Sequence, residues 1–474
     1  MSKNSIIELD FQIEQYTTPL FNLNTYFIVS QEESAIVDPV FNPSLYDDLL
    51  QETQTTLKYI LITHHPHEFV NDEDDLAKRT GATIIYGERS SKHATKSKTQ
   101  LQLGSVKLEV LSTPGFTDDS ACFLLINSKD KPKALFTGAT LTYGDIGHSF
   151  ITKDTTDETK TTIATELSES LTLLAGVDSS CVVLPGYNAG GVCGGKPSAE
   201  VKNTLAKEME SNCYLKASHE ERITKIKETF QQRKPQFDVV AKAKVKEGTS
   251  RKEVYDNIKK LSPTDLQALI DDDKDNNTYI FDTRDQPESV VGYIPTSIIL
   301  SLKVAYTTYM LGTIDVNANV VFVTASGKET ESIIPAMQVG YSNVIGYLEG
   351  GFAAWKDAGK PVETIVYEPS TKEHVDALVA EKRFIIDIRE FAEFREVGIV
   401  KDSVLTPLSD FNKYINEGVI DKEKDIYVLC KSGARACIAI TYLKKLKYPN
   451  KMIDLQGGCM KLQETKYDFD KYVH

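Results

Sequence analysis

The sequence predicts an α/β protein of several domains, and three observations carry that reading. The chain has 474 residues, too many for one hydrophobic core, so about three domains of ~150 residues each are expected. Apolar, strand-like runs alternate with helical patterns along its whole length, which is the signature of α/β layering. The C-terminal half repeats itself: Tyr279-Ile280-Phe281-Asp282-Thr283-Arg284 matches Phe384-Ile385-Ile386-Asp387-Ile388-Arg389, an offset of 387 − 282 = 105 residues.

In the first segment, strands are expected at Tyr26–Val29, Ala35–Pro39, Tyr59–Thr63, Ala82–Tyr86, Val106–Leu111, Ala121–Ile126 and Ala134–Phe136. A helix is expected before Thr80-Gly81, and a long helical stretch from Ala199 to Phe230, closed by Lys234-Pro235. Residues 236–249 read as a connector or a last strand, so the first domain is placed at 1–240. The duplication then continues in order. Val321-Phe322-Val323-Thr324 lies opposite Ile426-Tyr427-Val428-Leu429-Cys430, Ser326-Gly327 opposite Ser432-Gly433, and Gly350-Gly351 opposite Gly457-Gly458. Landmarks at strand ends and turns, in matching order, indicate two copies of one α/β unit, at 250–366 and 367–474.

Composition excludes some functions. The net charge of −14 argues against a nucleic-acid partner, which needs a basic face. The acidic runs Asp72–Asp75 and Asp271–Asp273 read as solvated faces. No apolar run approaches the ~18 residues of a membrane span, and MSKNSIIELDFQIEQ has neither an apolar secretion core nor an Arg-rich presequence face. A cytoplasmic address is therefore expected. The seven cysteines lack a Cys-x-x-Cys pair and suit a reducing compartment, most of them as small buried hydrophobes.

Cys430 is the exception. It ends a strand and opens the loop Lys431-Ser432-Gly433-Ala434-Arg435 before an amphipathic helix whose buried stripe would be Ala436, Ile438, Ala439, Ile440, Tyr442 and Leu443. A thiol at a helix N-terminus faces unpaired N–H groups and a favourable dipole, and Lys431 and Arg435 add positive charge. Such a site stabilises a thiolate or a persulfide anion. The alternative is a thiol left in a silent fold.

This unit resembles the rhodanese family through Asp387-x-Arg389, Glu393, the loop C-K-S-G-A-R and the Leu455-Gln456-Gly457-Gly458 close. The resemblance implies Cys430 as sulfur acceptor, with Arg435, Lys431, Ser432 and Gly433 forming its loop and Asp387 and Arg389 in support. The related phosphatase loops are one residue longer, so C-x4-R favours sulfur over phosphate. The family's Gly-His-Ile segment reads Gly398-Ile399-Val400 here. The middle unit resembles the same family through Gly292-Tyr293-Ile294-Pro295 and GYSNVIGYLEGGFAAWKDAGKPV, but Thr324 stands at the nucleophile position and Glu329 at the loop Arg position. A hydroxyl cannot carry a persulfide and a carboxylate repels an anion, so this copy is expected to be inactive, a packing or docking module.

The first domain resembles the persulfide dioxygenases of the metallo-β-lactamase fold. Thr63-His64-His65-Pro66-His67-Glu68-Phe69, Thr113-Pro114-Gly115-Phe116-Thr117, Thr137-Gly138-Ala139 and Pro185-Gly186-Tyr187-Asn188-Ala189-Gly190-Gly191-Val192-Cys193-Gly194 stand in the order of that family's T-H-x-H-x-D-H, T-P-G-H-T, T-G-D and P-x-H-G-A-G-x-x-C-G blocks. The whole chain thus resembles a persulfide dioxygenase–rhodanese fusion. That implies an αββα sandwich followed by two α/β domains with parallel sheets. The family's iron needs two His and a carboxylate. His64 matches the first ligand, but Phe116 and Ala139 stand at the other two positions, and Tyr187 replaces the last His. No metal and no other cofactor is expected, and dioxygenase or hydrolase activity is expected to be absent. A shifted site built from His64, His67 and His148 is the alternative, against histidines that merely line an empty site.

Two functions follow. The loss of two independent sites beside intact fold-defining Gly, Pro and Trp positions favours a structural pseudoenzyme within a larger assembly, cytoskeletal or ciliary, whose partners are other proteins. The complete loop at Cys430 favours a sulfurtransferase whose partners are small thiols and persulfides.

Overall fold

A computed structural model describes residues 2–18, 22–66, 69–188, 203–233, 240 and 249–472. The chain divides into two compact units, Met1–Lys242 and Ala243–His474.

The first unit is two six-stranded sheets with helices on their outer faces. One sheet runs in chain order through Ser2–Ile7, Gln12–Thr18, Leu23–Ser30, Glu33–Val37, Thr56–Leu61 and Thr83–Ile85. Its first four strands form an antiparallel meander, and the last two join in parallel after the helices Leu45–Thr53 and Glu73–Thr80. The other sheet has the order Asn203–Thr204, Val182–Pro185, Pro132–Gly138, Ala121–Ile126, Val106–Ser112, Gln100–Leu103. Alternation along the strands makes three apolar layers. Ile13, Ile28, Val37, Leu108, Phe123 and Phe136 fill the space between the sheets. Tyr46, Leu49, Ile60 and Leu76 bind the first sheet to its helices, and Leu135, Leu167, Leu171, Val183 and Ile226 bind the second to its own. This is the αββα sandwich.

Two expectations change. The helical stretch drawn from Ala199 to Phe230 is, among its described residues, three helices: Leu205–Ser211, Cys213–Lys216 and His219–Thr229. Asn212 and Ser218 break it by turning extended and capping the helix that follows each, Ser218 with a full capping box to Glu221. The longest helix, Asp157–Ala175, had no clear signal, because its Thr- and Ser-rich sequence DETKTTIATELSESLTLLA blurs the apolar stripe.

The second unit contains two five-stranded sheets, parallel throughout. Their orders are Lys259–Leu261, Val344–Leu348, Asn319–Val323, Thr278–Asp282, Ser297–Ile299 and Tyr367–Pro369, Met452–Gln456, Ile426–Leu429, Phe384–Asp387, Val404–Leu405. Numbered within each copy, both read 1-5-4-2-3, and the register agrees: Asp282 pairs with Val323 as Asp387 pairs with Leu429. One close approach is also repeated. A Cβ on Gly351 would fall 2.6 Å from the Thr324 carbonyl oxygen, and one on Gly458 would fall 2.3 Å from that of Cys430, both at positive φ. The Gly-Gly pair lets the following helix lie directly against the loop.

The helix Ala436–Lys445 was expected to bury one stripe. It buries nine of its ten residues, because the middle copy covers its other side. Thr441 Oγ1 accepts the Ile299 N–H at 3.0 Å, and Lys445 Nζ meets Asp273 Oδ2 at 2.7 Å. No described helix is long and apolar enough to cross a membrane.

Candidate functional site

In the first unit the strand Thr56–Leu61 delivers Thr63 and His64 to the end of the sandwich. Asp38 accepts the Thr63 N–H at 2.8 Å and the Thr63 hydroxyl at 2.7 Å. That hydroxyl lies 2.9 Å from His64 Nδ1. With Asp38 ionised, the hydroxyl's one proton is directed to Asp38, so Nδ1 carries the hydrogen and donates, leaving Nε2 with the ring's lone pair. Tyr187 Oη stands 2.9 Å from Nε2 and donates to it. The atom of the surviving imidazole that would bind a cation is therefore occupied by the side chain standing where the resemblance has a histidine. Phe116 presents an edge to His64, with centroids 5.1 Å apart. A Cβ on Gly147 would lie 2.7 Å from Phe116 Cδ2 and 2.4 Å from the Ala139 carbonyl oxygen, so backbone closes over both altered positions. The cavity left beside His64 is about 10 Å³, the room of a single water.

The remaining histidines do not assemble. His65 pairs through Nδ1 with Asp119 and stacks on Tyr86. Burial works to raise the Asp119 pKa, but the hydrogen bond and charge of His65 outweigh it and hold the carboxyl at about 2. His148 is engaged with Asp145 at 3.4 Å and Gln231 at 3.3 Å. His67 lies outside the described residues. Among the described residues no group of three His, Cys, Asp or Glu side chains could hold a metal ion. The residues present do not fit the iron that the fold family implies.

In the C-terminal copy, Cys430 follows the strand Ile426–Leu429 and is 1% exposed. Its Sγ accepts the Gly433 N–H at 3.0 Å, with Gly433 at φ +96°. Burial is the largest influence and pushes the thiol up, while the backbone N–H groups of Arg435 and Ser432 and the Arg435 charge favour the thiolate. The loop thus gives the sulfur one direct N–H donor, Gly433, and a backbone that favours its negative charge. Lys431 and Ser432 are exposed at the rim. The Arg435 guanidinium is held by Glu393 in a two-point pair, 2.7 and 2.8 Å, and reaches the Tyr309 hydroxyl of the middle copy at 3.4 Å. Asp387 and Arg389 form a buried ion pair, and Arg389 also donates to the Gly398 carbonyl at 2.8 Å. Asp282, Arg284 and Gly292 repeat that arrangement in the copy with Thr324. The Asp-x-Arg element therefore ties strand to loop in both copies whether or not a thiol is present.

The middle loop differs where chemistry would need it. Gly327, the counterpart of Gly433, turns its N–H to Glu329 Oε1 at 3.3 Å, so the loop satisfies itself with its own carboxylate. Tyr309 and Asp454, which is buried behind the Cys430 loop, are the residues that sequence reasoning missed. Tyr309 is 126 residues from Arg435 and carried no signal. Asp454 did carry one: a carboxylate inside the apolar run Met452–Leu455.

Comparison with known proteins agrees with this division. The family model for the rhodanese-like domain matches residues 262–358 and 370–465. A probable hydroxyacylglutathione hydrolase of Schizosaccharomyces pombe is 32% identical over 123 residues, 25% of this chain and 47% of that protein. A second one from the same organism is 34% identical over 134 residues, 26% of this chain and 51% of its own length. The chain thus spans about half the length of these relatives. In structure, a metallo-beta-lactamase from Staphylococcus aureus covers 71% of this chain and 99% of its own, with a TM-score of 0.60 and 20% identity, a likeness of fold.

Proposed function

From a chain that joins a metallo-β-lactamase-like fold to two rhodanese-like domains, we propose a sulfurtransferase in which only the C-terminal copy is chemically competent. The observation that carries this reading is the Gly433 N–H donated to Cys430 Sγ at 3.0 Å, in a loop whose Arg435 and Ser432 backbone N–H groups and Arg435 charge also favour the thiolate. A preorganised set of N–H donors stabilises negative charge on sulfur without reorganising. The Cys430 thiolate attacks the outer sulfur of thiosulfate or of a small persulfide. The donor's S–S bond breaks as the Sγ–S bond forms, and sulfite or a thiolate leaves. An acceptor thiolate then takes that sulfur and Cys430 is restored. Arg435, neutralised by Glu393, braces the loop, while Lys431 supplies mobile charge at the rim for an anionic donor. The first domain and the middle copy serve as non-catalytic bodies, since one lacks a ligand set and the other a nucleophile.

The second reading is a scaffold in a larger assembly, cytoskeletal or ciliary. The burial of Cys430 favours it, since a residue only 1% exposed meets a donor only if the loop opens. One experiment separates the two. The purified chain is incubated with thiosulfate and cyanide, and thiocyanate formation is compared with that of Cys430→Ser. Turnover lost in the variant supports sulfur transfer; equal rates in both proteins remove it and leave the scaffold.

A further inference from the structure

We propose that Asp454 is the positioning residue that sets the charge of the Cys430 site, which holds a sulfur anion more readily while Asp454 holds a proton. The inference rests on the sulfur-transfer reading.

Asp454 lies in the strand Met452–Gln456 beside Val428, two residues before Cys430. It is 3% exposed, and its Oδ1 is buried with no hydrogen-bond partner. A Cβ on Gly433 would lie 3.8 Å from Oδ2, so the carboxyl sits directly behind the glycine whose N–H serves the sulfur. Two other buried carboxylates of this unit, Asp282 and Asp387, are ion-paired to Arg284 and Arg389. Leaving a buried carboxyl oxygen unpaired is costly and calls for an explanation. The duplicated copy supplies the control. Phe322 pairs with Tyr347 at the place where Val428 pairs with Asp454, so the copy with Thr324 has a phenol there and the copy with the thiol has the carboxyl.

The groups around Asp454 leave it without a counter-charge. From the loop comes Cys430, and Arg435 of that loop is neutralised by Glu393. From the helix Ala436–Lys445 comes Cys437, whose thiol, like that of Cys430, is raised first by burial and further by the Asp454 charge. Along the adjacent strand comes Tyr367, paired with Asp454 in register and itself exposed. Burial pushes the Asp454 carboxyl up to about 7. While neutral, it leaves the loop, with its Gly433 N–H on the sulfur, to a single anion. Once ionised, it places a second negative charge behind the same loop, and like charges in one site cannot both be held cheaply. The usual rise of thiolate, and of sulfur loading, with pH should therefore level off once pH passes neutrality.

The test uses the whole chain and two readouts. Thiolate absorbance is titrated as the difference between each protein and its Cys430→Ser counterpart, for wild type and for Asp454→Asn, with Asp454→Ser as a second neutral variant should the amide fold poorly. About a tenfold larger thiolate fraction on Cys430 at slightly alkaline pH is expected in the neutral variants; an unchanged titration overturns the proposal. Thiosulfate-dependent turnover should level off just above neutral pH in wild type and keep rising in the variants; parallel profiles in all three overturn the proposal. Absence of any Cys430-dependent turnover, with the shifted titration intact, overturns the sulfur-transfer reading instead.

Discussion

Glu393→Gln isolates the charge that holds Arg435. Glu393 does two things at once: it forms the two-point pair with Arg435, and it accepts the Glu390 N–H at 3.0 Å in the capping box of the helix Phe391–Val397. Glutamine keeps one oxygen for the cap and for Arg435 Nη1, and removes the charge together with the second acceptor, the one that takes Arg435 Nη2. Breaking a fully buried pair costs about 3–5 kcal/mol, whereas an exposed pair is worth about 0.2–1 kcal/mol. The two side chains are 11% and 19% exposed, and Tyr309 remains as a partner for Arg435, so about 2 kcal/mol is expected. Glu393→Ala should lose about 1 kcal/mol more, through the cap. A double-mutant cycle with Arg435→Met in urea, followed by circular dichroism, measures the coupling. The Glu393 pKa is lowered, because the Arg435 hydrogen bonds and charge outweigh its burial. Its contribution is therefore fully present above its unfolded pKa and is lost as pH falls through the lower folded value. The gap between wild type and Glu393→Gln should close in acid. A coupling below about 0.5 kcal/mol, or a gap unaffected by acid, would falsify the claim that this pair braces the loop.

Other expectations follow from the same geometry. Thr324→Cys in a Cys430→Ser background should acquire no persulfide by intact mass, since Glu329 keeps the Gly327 N–H; loading of that double variant would show that the loop amides are unnecessary. Phe116→His should not confer zinc binding by calorimetry, because Tyr187 occupies His64 Nε2 and Ala139 offers no donor; stoichiometric zinc in that variant would contradict the assigned tautomer. Gly458→Ala should cost at least about 2 kcal/mol, its Cβ meeting the Cys430 carbonyl oxygen at 2.3 Å, and a wild-type melting curve would refute the close approach. Burial pushes Asp38 up to about 7, so its contribution is complete below its unfolded pKa and lost as pH rises through about 7. Asp38→Asn should flatten the decline in stability between the unfolded value of 3.8 and about 7, and an unchanged pH profile would place that decline elsewhere.

Much of this protein was legible in one dimension. The strand runs of the sandwich, the 105-residue duplication and the altered positions Phe116, Ala139 and Thr324 can be read because periodicity, repetition and the presence or absence of a lone pair are local properties of residues. The breaks at Asn212 and Ser218 were harder to read, since capping residues also occur inside helices. The helix Asp157–Ala175 escaped because packing against its sheet, rather than a clean stripe, decides its formation.

Other features belong to tertiary structure alone. The Tyr187 cap on His64 spans 123 residues and the Tyr309 contact with Arg435 spans 126. The all-round burial of Ala436–Lys445 depends on a neighbouring domain. The ionisation of Asp454 depends on which groups surround it once water has been excluded. Residue type determines what chemistry a side chain can perform. Solvation and counter-charge determine whether it does, and these arise only when distant segments meet.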